Sequence, residues 1–291
     1  MAVKKTYCVA GHLFSLSLEE GDNTWDSLAN YEPFVVSGTG EVLFSLELVQ
    51  GFEMSGKRDL YLSKPETMEQ RIDIYTVDGG YLFELAPFGH QDISGRMIVS
   101  GDFSAGRLTT VSDKVFCINN ALMLLYAFRT AALDTIEIHA SCVVNEGKGF
   151  LFLGKSGTGK STHSRLWLKN IPGSRLLNDD NPVIRIVDGV PRVFGTPWSG
   201  KTPCYIARDF PVGAIVRINR APHDAIHRME VIDAFASLYS SSSGLRAIKS
   251  VADGLFATVS AVVEKVPSYL LDCLPDDNAA IVCSKEVIGH G

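Results

Sequence analysis

Short apolar stretches separated by turn residues make up most of the first part of the chain. Their spacing predicts strands at 6–18, 41–49, 71–77, 81–85, 97–100 and 107–111. Asp78, Gly79 and Gly80 separate two of these stretches and favour a tight hairpin turn. Nothing in this pattern points to a particular chemistry. We therefore expect a β-rich N-terminal region over residues 1–112.

After residue 112 the apolar spacing lengthens, and helices begin to alternate with strands. The pattern predicts helices at 112–133, 161–171, 231–239 and 277–287, with Ser112 as the cap of the first helix. Strands are expected at 136–144, 150–153, 183–187, 190–194, 214–218, 226–229 and 266–271, and a low-complexity loop at 240–244. Residues 113–291 are thus predicted to form an α/β domain with α+β character, a mixed and largely antiparallel sheet with flanking helices.

One hairpin in this second region is specified closely enough to estimate its register. Only the turn 145–148 separates two predicted strands, so they must run antiparallel. Pairing Val144 with Gly149 places His139 opposite Gly154, and a slip of one residue shifts it by one position. His139 is therefore expected beside the segment that follows the hairpin.

Composition and charge narrow the classes of protein that need considering. The chain has 291 residues, 46% of them hydrophobic and 21% charged, as a globular protein has. A net charge of −6 gives no support to nucleic acid or an anionic membrane as a partner. The six cysteines are scattered without metal-ligand spacing, which is typical of reduced thiols in a cytoplasmic protein. Self-association is left open.

The segment after the hairpin carries the strongest chemical signal. Gly154, Gly159, Lys160 and Ser161 match the phosphate-binding pattern G-x-x-x-x-G-K-[ST] at every specified position, between a predicted strand and a predicted helix. Backbone amides of such a loop bind phosphate oxygens, while the lysine reaches the β- and γ-phosphates and the serine ligates Mg²⁺. The predicted nucleotide-binding residues are Gly154, Lys155, Ser156, Gly157, Thr158, Gly159, Lys160, Ser161 and Thr162.

Two neighbouring carboxylates provide a candidate acidic element. Phosphoryl transfer needs a carboxylate to hold Mg²⁺ and a base for the acceptor's proton, and Asp179 and Asp180 end a short apolar run after the loop and its helix. The same residues, followed by Asn181 and Pro182, would also suit a plain turn. The sequence pattern does not decide which aspartate would take which role. Lys201 is a candidate contact for the acceptor or the transferred phosphate, or simply a solvated lysine.

Taken together, three motifs resemble a known family. The stretches 138–144, 149–162 and 176–180 are similar to the C-terminal catalytic domain of HPr kinase/phosphorylase and its relatives with the phosphoenolpyruvate carboxykinase-like P-loop fold. The resemblance runs from residue 133 to the end of the chain. It implies that His139 lies near the γ-phosphate, that Asp179 is the general base, and that Asp180 helps Ser161 hold Mg²⁺.

The resemblance also implies an activity. It indicates a kinase that uses ATP and Mg²⁺ to phosphorylate a hydroxyl, such as a serine of a protein, a peptide or a free amino acid, with a reverse phosphorolysis as a further expectation. The first part of the chain does not resemble that family's N-terminal domain, so the acceptor stays open. Two alternatives are a nucleotide-sensing module without turnover and a phosphoenolpyruvate carboxykinase-like enzyme.

Overall fold

A computed structural model describes residues 1–38, 40–53, 56–64, 70–200 and 202–289. The chain divides into two compact units, Met1–Arg129 and Thr130–Gly291. The predicted boundary at 112/113 lies one helix before the division between these units, because the helix Lys114–Thr130 belongs to the first unit. Two of its side chains bond to that unit's strands and loops: Tyr126 donates to the Val9 carbonyl at 3.1 Å and Arg129 to the Leu43 carbonyl at 3.2 Å.

Within its described residues, the first unit has one mixed sheet in the order β1-β2-β3-β8-β7-β6-β5-β4. Its strands are β1 (Ala2–Val9), β2 (His12–Glu19), β3 (Phe44–Leu48), β4 (Asp59–Lys64), β5 (Gln70–Val77), β6 (Gly80–Pro87), β7 (Gly95–Ser100) and β8 (Ala105–Thr110). Short 3₁₀ helices cover Asn23–Ser27 and Ala29–Phe34, and α1 is Lys114–Thr130.

Three details of this unit differ from the prediction or refine it. The strand expected at 6–18 is two strands, because Ala10 and Gly11 take positive φ angles of 49° and 78° and close a tight turn. The helix is capped by Asp113, which accepts from the Phe116 amide at 3.2 Å, whereas the Ser112 hydroxyl bonds to another serine. The β5–β6 hairpin is confirmed, and β4 was not predicted.

The second unit contains strands β9–β17 and helices α2–α5. The strands are β9 (Thr135–Glu137), β10 (Ala140–Asn145), β11 (Lys148–Leu153), β12 (Arg175–Asn178), β13 (Val183–Val187), β14 (Val190–Phe194), β15 (Asp209–Arg220), β16 (Ala225–Arg228) and β17 (Ser268–Cys273). The helices are α2 (Lys160–Asn170), α3 (Val231–Ser241), α4 (Lys249–Lys265) and α5 (Asp277–Gly289).

The pairing of these strands confirms a mixed α/β unit with helices flanking the sheet. Its strands follow the order β12-β10-β11-β15-β14-β13-β9, with β17 paired to β15 and β16. β11 is antiparallel to β10 and parallel to β15, which is parallel to β17 in turn. Apolar side chains of α2 and α5, including Trp167 and Cys283, form a core with Phe150, Phe152 and Tyr269.

Three elements of this unit differ from the expected pattern, and one of them, strand β12, was not predicted. The strand predicted at 136–144 breaks into β9 and β10, because Ile138 forms a bridge to Ser242 and the His139 amide donates to the Ser241 carbonyl at 2.9 Å. Helix α4 was not predicted. As for membranes, the helices in the described ranges lack the length or the apolar content that a transmembrane span requires.

Candidate active site

The glycine loop (residues 154–159) joins the end of β11 to the first turn of α2. Gly157 and Gly159 have φ angles of +77° and +119°, which residues with a side chain rarely adopt. A Cβ at either position would meet nothing within 4 Å. Backbone conformation, and not lack of space, therefore calls for glycine here. The loop leaves open room next to its backbone, as a phosphate cradle requires.

Hydrogen bonds within the loop fix its shape. The Thr158 amide and hydroxyl both donate to the Lys155 carbonyl, at 3.0 and 2.7 Å, and close a turn. The Lys160 ammonium donates to the Gly154 carbonyl at 3.1 Å, and this residue is only 7% exposed. The lysine charge thus lies against the beginning of the loop, where it would meet a bound polyphosphate.

The aspartate pair and the glycine loop are close together because a single strand, β10, lies between them. Ala140, the first residue of β10, pairs with Leu153, the last residue before the loop. On its other side, the Ala140 amide donates to the Asp180 carbonyl at 2.8 Å. Adjacent strands lie about 5 Å apart, so the backbone at Leu153 and the backbone at Asp180 are separated by about 10 Å. Side chains can bridge this distance.

Asp179 is 3% exposed, and its carboxylate is held from two directions. One oxygen accepts from the Ser141 hydroxyl at 3.1 Å, and the other accepts from the Thr202 amide at 3.3 Å. The Ser141 hydroxyl also lies 2.6 Å from the hydroxyl of Ser164, one turn along α2 from Lys160. A chain of buried hydroxyl groups therefore connects this carboxylate to the helix that carries the loop lysine.

Asp180 and His139 form the more exposed part of this cluster. The Asp180 carboxylate lies 3.7 Å from the His139 Nδ1 atom and accepts from the Asn181 amide group at 3.0 Å. Their side chains are 30% and 26% exposed. The β10–β11 register has Val144 opposite Gly149, as expected, but His139 sits at the bend before β10 and not on a continuous strand.

Asn178 orders the turn that carries both aspartates, and it was not among the residues predicted from sequence. Its side-chain oxygen accepts from the Asp180 and Asn181 amides, both at 2.9 Å. Its amide group donates to the Thr196 hydroxyl and the Trp198 carbonyl, both at 3.0 Å. The asparagine before the acidic pair was the signal in the sequence, since asparagine commonly bonds to backbone amides two and three residues on.

Arg220 lies on the opposite side of the loop and was also not predicted. It ends β15, and its guanidinium donates to the Thr158 carbonyl at 3.1 Å and to the Gly157 carbonyl. Because parallel strands end at the same edge of a sheet, the end of β15 is a natural neighbour of the loop after β11.

A cavity of about 450 Å³ opens on this same side. Its lining includes Thr158, Thr162 and His163 from the loop and α2, with Leu274 and Pro275 from the segment before α5. The His163 Nε2 atom accepts from the Trp167 indole at 3.1 Å, and the ring packs edge-on against Phe152. Burial lowers the pKa of His163 from 6.5 to about 4, so this ring is neutral near pH 7.

The predicted magnesium ligands are a hydroxyl and a carboxylate. Ser161 is half-buried at the start of α2, and Asp180 is partly exposed. Within the described ranges no three His, Cys, Asp or Glu side chains cluster closely enough to hold a metal by themselves. Oxygen donors of this kind suit Mg²⁺ when phosphate oxygens complete its shell. The predicted substrate contact, Lys201, lies outside the described residues.

Neither a known family model nor a curated protein matches the chain. Among solved structures it is similar to the HPr(Ser) kinase/phosphatase from Coxiella burnetii, with 14% sequence identity and a TM-score of 0.32. The match covers 53% of this chain and 95% of that chain.

Proposed function

We propose that the second unit binds a nucleoside triphosphate with Mg²⁺ and transfers its terminal phosphoryl group to a hydroxyl. The observation that carries the proposal is the position of Asp179. This buried carboxylate is linked through Ser141 and Ser164 to the helix that begins at Lys160. A glycine loop alone would indicate binding, whereas a fixed carboxylate beside it adds a candidate proton acceptor.

Each part of the site has a role in this proposal. The loop amides and Lys160 bind the polyphosphate and offset its charge, and the cavity lined by Thr162 and His163 receives the nucleoside. Ser161 and Asp180 would hold Mg²⁺, which supplies further charge neutralisation when bound. His139, whose Nδ1 atom lies 3.7 Å from the Asp180 carboxylate, would help to orient that carboxylate.

Asp179 is the base in the proposed reaction. As the acceptor oxygen bonds to the γ-phosphorus, its proton moves to the Asp179 carboxylate, and the bond between the γ-phosphorus and the bridging oxygen of the nucleoside diphosphate breaks. Asp179 suits this role because the Ser141 hydroxyl and the Thr202 amide fix its orientation in advance. The acceptor class that we propose is a serine hydroxyl in a protein, a peptide or a free amino acid.

The test is transfer of label from γ-³²P-ATP with Mg²⁺ to a cell extract and to a panel of serine-containing small molecules. We expect a labelled acceptor with the wild-type chain and none with Asp179→Asn. Tight ATP binding without a labelled product in any mixture would contradict the kinase and favour a nucleotide-sensing module.

A further inference from the structure

The contact between Arg220 and the glycine loop is not explained by the proposed chemistry. The guanidinium is exposed, yet it donates to the carbonyls of two successive loop residues, Gly157 and Thr158. An exposed arginine usually points into solvent or pairs with a carboxylate. Here its rigid fork of donors is directed at the backbone of the segment that matches a phosphate-binding pattern.

The contact with Arg220 also fixes the direction of the next backbone amide in the loop. A trans peptide is planar, so its C=O and N–H bonds point in opposite directions. With the Thr158 carbonyl turned towards Arg220, the Gly159 amide must point to the other side of the loop. The Gly157 carbonyl is held in the same way, and the Thr158 amide of that peptide donates back to Lys155 at 3.0 Å.

Fixing these peptides matters because the loop would otherwise be free to rotate them. Gly157 and Gly159 both have positive φ angles, and glycine loses more conformational freedom on ordering than other residues. A loop whose amides already face the ligand avoids that cost when the ligand binds.

We propose that Arg220 is a positioning residue for polyphosphate binding. It holds the Gly157 and Thr158 carbonyls outward, and so presents the Gly159 amide to the phosphates. The proposal rests on the proposed function in one respect, that the loop binds a polyphosphate. It extends that function by assigning part of the affinity to a residue of β15 that acts through the loop backbone.

Binding of two probes to Arg220→Ala tests this role. The probes are Mg²⁺–ATP and Mg²⁺–tripolyphosphate, which has the phosphates without the nucleoside, and titration calorimetry gives both dissociation constants. We expect both to rise by about ten-fold, because charge-assisted bonds that order the loop are lost. Arg220→Lys should restore only part of the affinity, since an ammonium lacks the two-pronged geometry. Arg228→Ala, an exposed arginine of β16, is the matched control and should bind as wild type does.

Amide hydrogen exchange of the ligand-free protein provides a second readout. Amides of residues 155–159 should exchange about ten-fold faster in Arg220→Ala than in Arg228→Ala, with an unchanged melting temperature. Unchanged exchange would overturn the proposal, as would a loss of ATP affinity without any loss for tripolyphosphate, which would place Arg220 at the nucleoside. If the wild-type chain binds neither probe, the proposed function fails, while the exchange rates still decide whether Arg220 orders the loop.

Discussion

The two flanks of the glycine loop hold their charged groups in different ways. On the side of β10 and β12, the buried Ser141 hydroxyl and the Thr202 backbone amide hold the Asp179 carboxylate. On the side of β15, the exposed guanidinium of Arg220 donates to backbone carbonyls of the loop. The cavity on this side is lined in part by the neutral His163. The first arrangement suits a group that must exchange a proton, and the second suits binding of a ligand whose charge is constant.

The largest expected effect separates chemistry from binding. Asp179→Asn keeps the shape of the side chain but removes its basicity, so the transfer rate should fall by about 10³-fold. Its dissociation constant for Mg²⁺–ATP should change by less than about three-fold, because the proposal has Asp179 bond to the acceptor hydroxyl and not to the nucleotide. Lys160→Ala should abolish transfer and also weaken ATP binding strongly.

Calorimetry and single-turnover transfer measure the two quantities separately. Asp188→Asn, in the turn between β13 and β14, is the control because asparagine tolerates the φ angle of 50° found there. If Asp179→Asn transferred phosphate at the wild-type rate, the carboxylate flank would have no role as a base.

The next effect concerns His163, which lines the cavity, and the free energy of unfolding at acid pH. The pKa of His163 is lowered to about 4 in the folded protein, whereas an unfolded histidine titrates near 6.5. Between these values the unfolded chain binds a proton that the native ring does not, so the free energy of unfolding falls as the pH falls. The loss should reach about 3 kcal/mol between pH 7 and pH 4.

Denaturant titrations at several pH values check this, with His163→Gln as the variant and the exposed His227→Gln as the control. Glutamine offers an oxygen to the Trp167 indole but does not titrate. The variant should therefore lose about 3 kcal/mol less than wild type over the same range. Identical pH profiles for wild type and His163→Gln would show that the ring is not held neutral.

A smaller effect is expected at the turn before the acidic pair. Asn178→Ala removes five hydrogen bonds, two accepted from backbone amides and three donated to Thr196 and Trp198. The free energy of unfolding should fall by about 2–4 kcal/mol, since buried partners are left unsatisfied. Transfer should fall by about ten-fold or more with ATP affinity nearly unchanged, as measured by denaturation and single-turnover assays. Equal losses of transfer and of ATP affinity would remove the distinction between the flanks.

The smallest effect is expected within the hydroxyl chain. Ser164→Ala deletes one hydroxyl 2.6 Å from that of Ser141 and leaves the bond between Ser141 and Asp179 in place. Transfer should fall only a few-fold, because a neutral hydrogen bond contributes about 1 kcal/mol. Ser284→Ala, a buried serine of α5, is the control. A loss as large as that of Asp179→Asn would mean that the hydroxyl chain itself carries the proton.

Local features were the most predictable part of this structure. The β10–β11 register followed from a short turn, and β13 and β14 have the predicted bounds, because a two-residue Asp-Gly turn fixes its hairpin. Helix α4 was missed although Val251, Leu255, Val259 and Val262 recur at helical spacing and are all buried.

Contacts between distant segments could not be predicted from local pattern. The break at His139 depends on bonds to Ser241 and Ser242, about a hundred residues later. Arg220 meets Thr158 across 62 positions of sequence, and only the parallel pairing of β15 with β11 brings the two together. Motif and turn chemistry thus indicate which residues can react, while sheet topology decides which side chains support them.

Asp179 can act as the base only if its carboxylate lies next to a phosphate bound by the loop. A crystal structure with Mg²⁺ and a non-hydrolysable ATP analogue tests this directly through the distance from the Asp179 carboxylate to the γ-phosphorus. We predict about 6 Å, with space for one acceptor hydroxyl between them, since a base bonds to that hydroxyl within about 3 Å and the reacting atoms approach to about 3.5 Å. A γ-phosphate that lies beyond 10 Å, or a carboxylate that faces away from Lys160, would contradict the proposed chemistry.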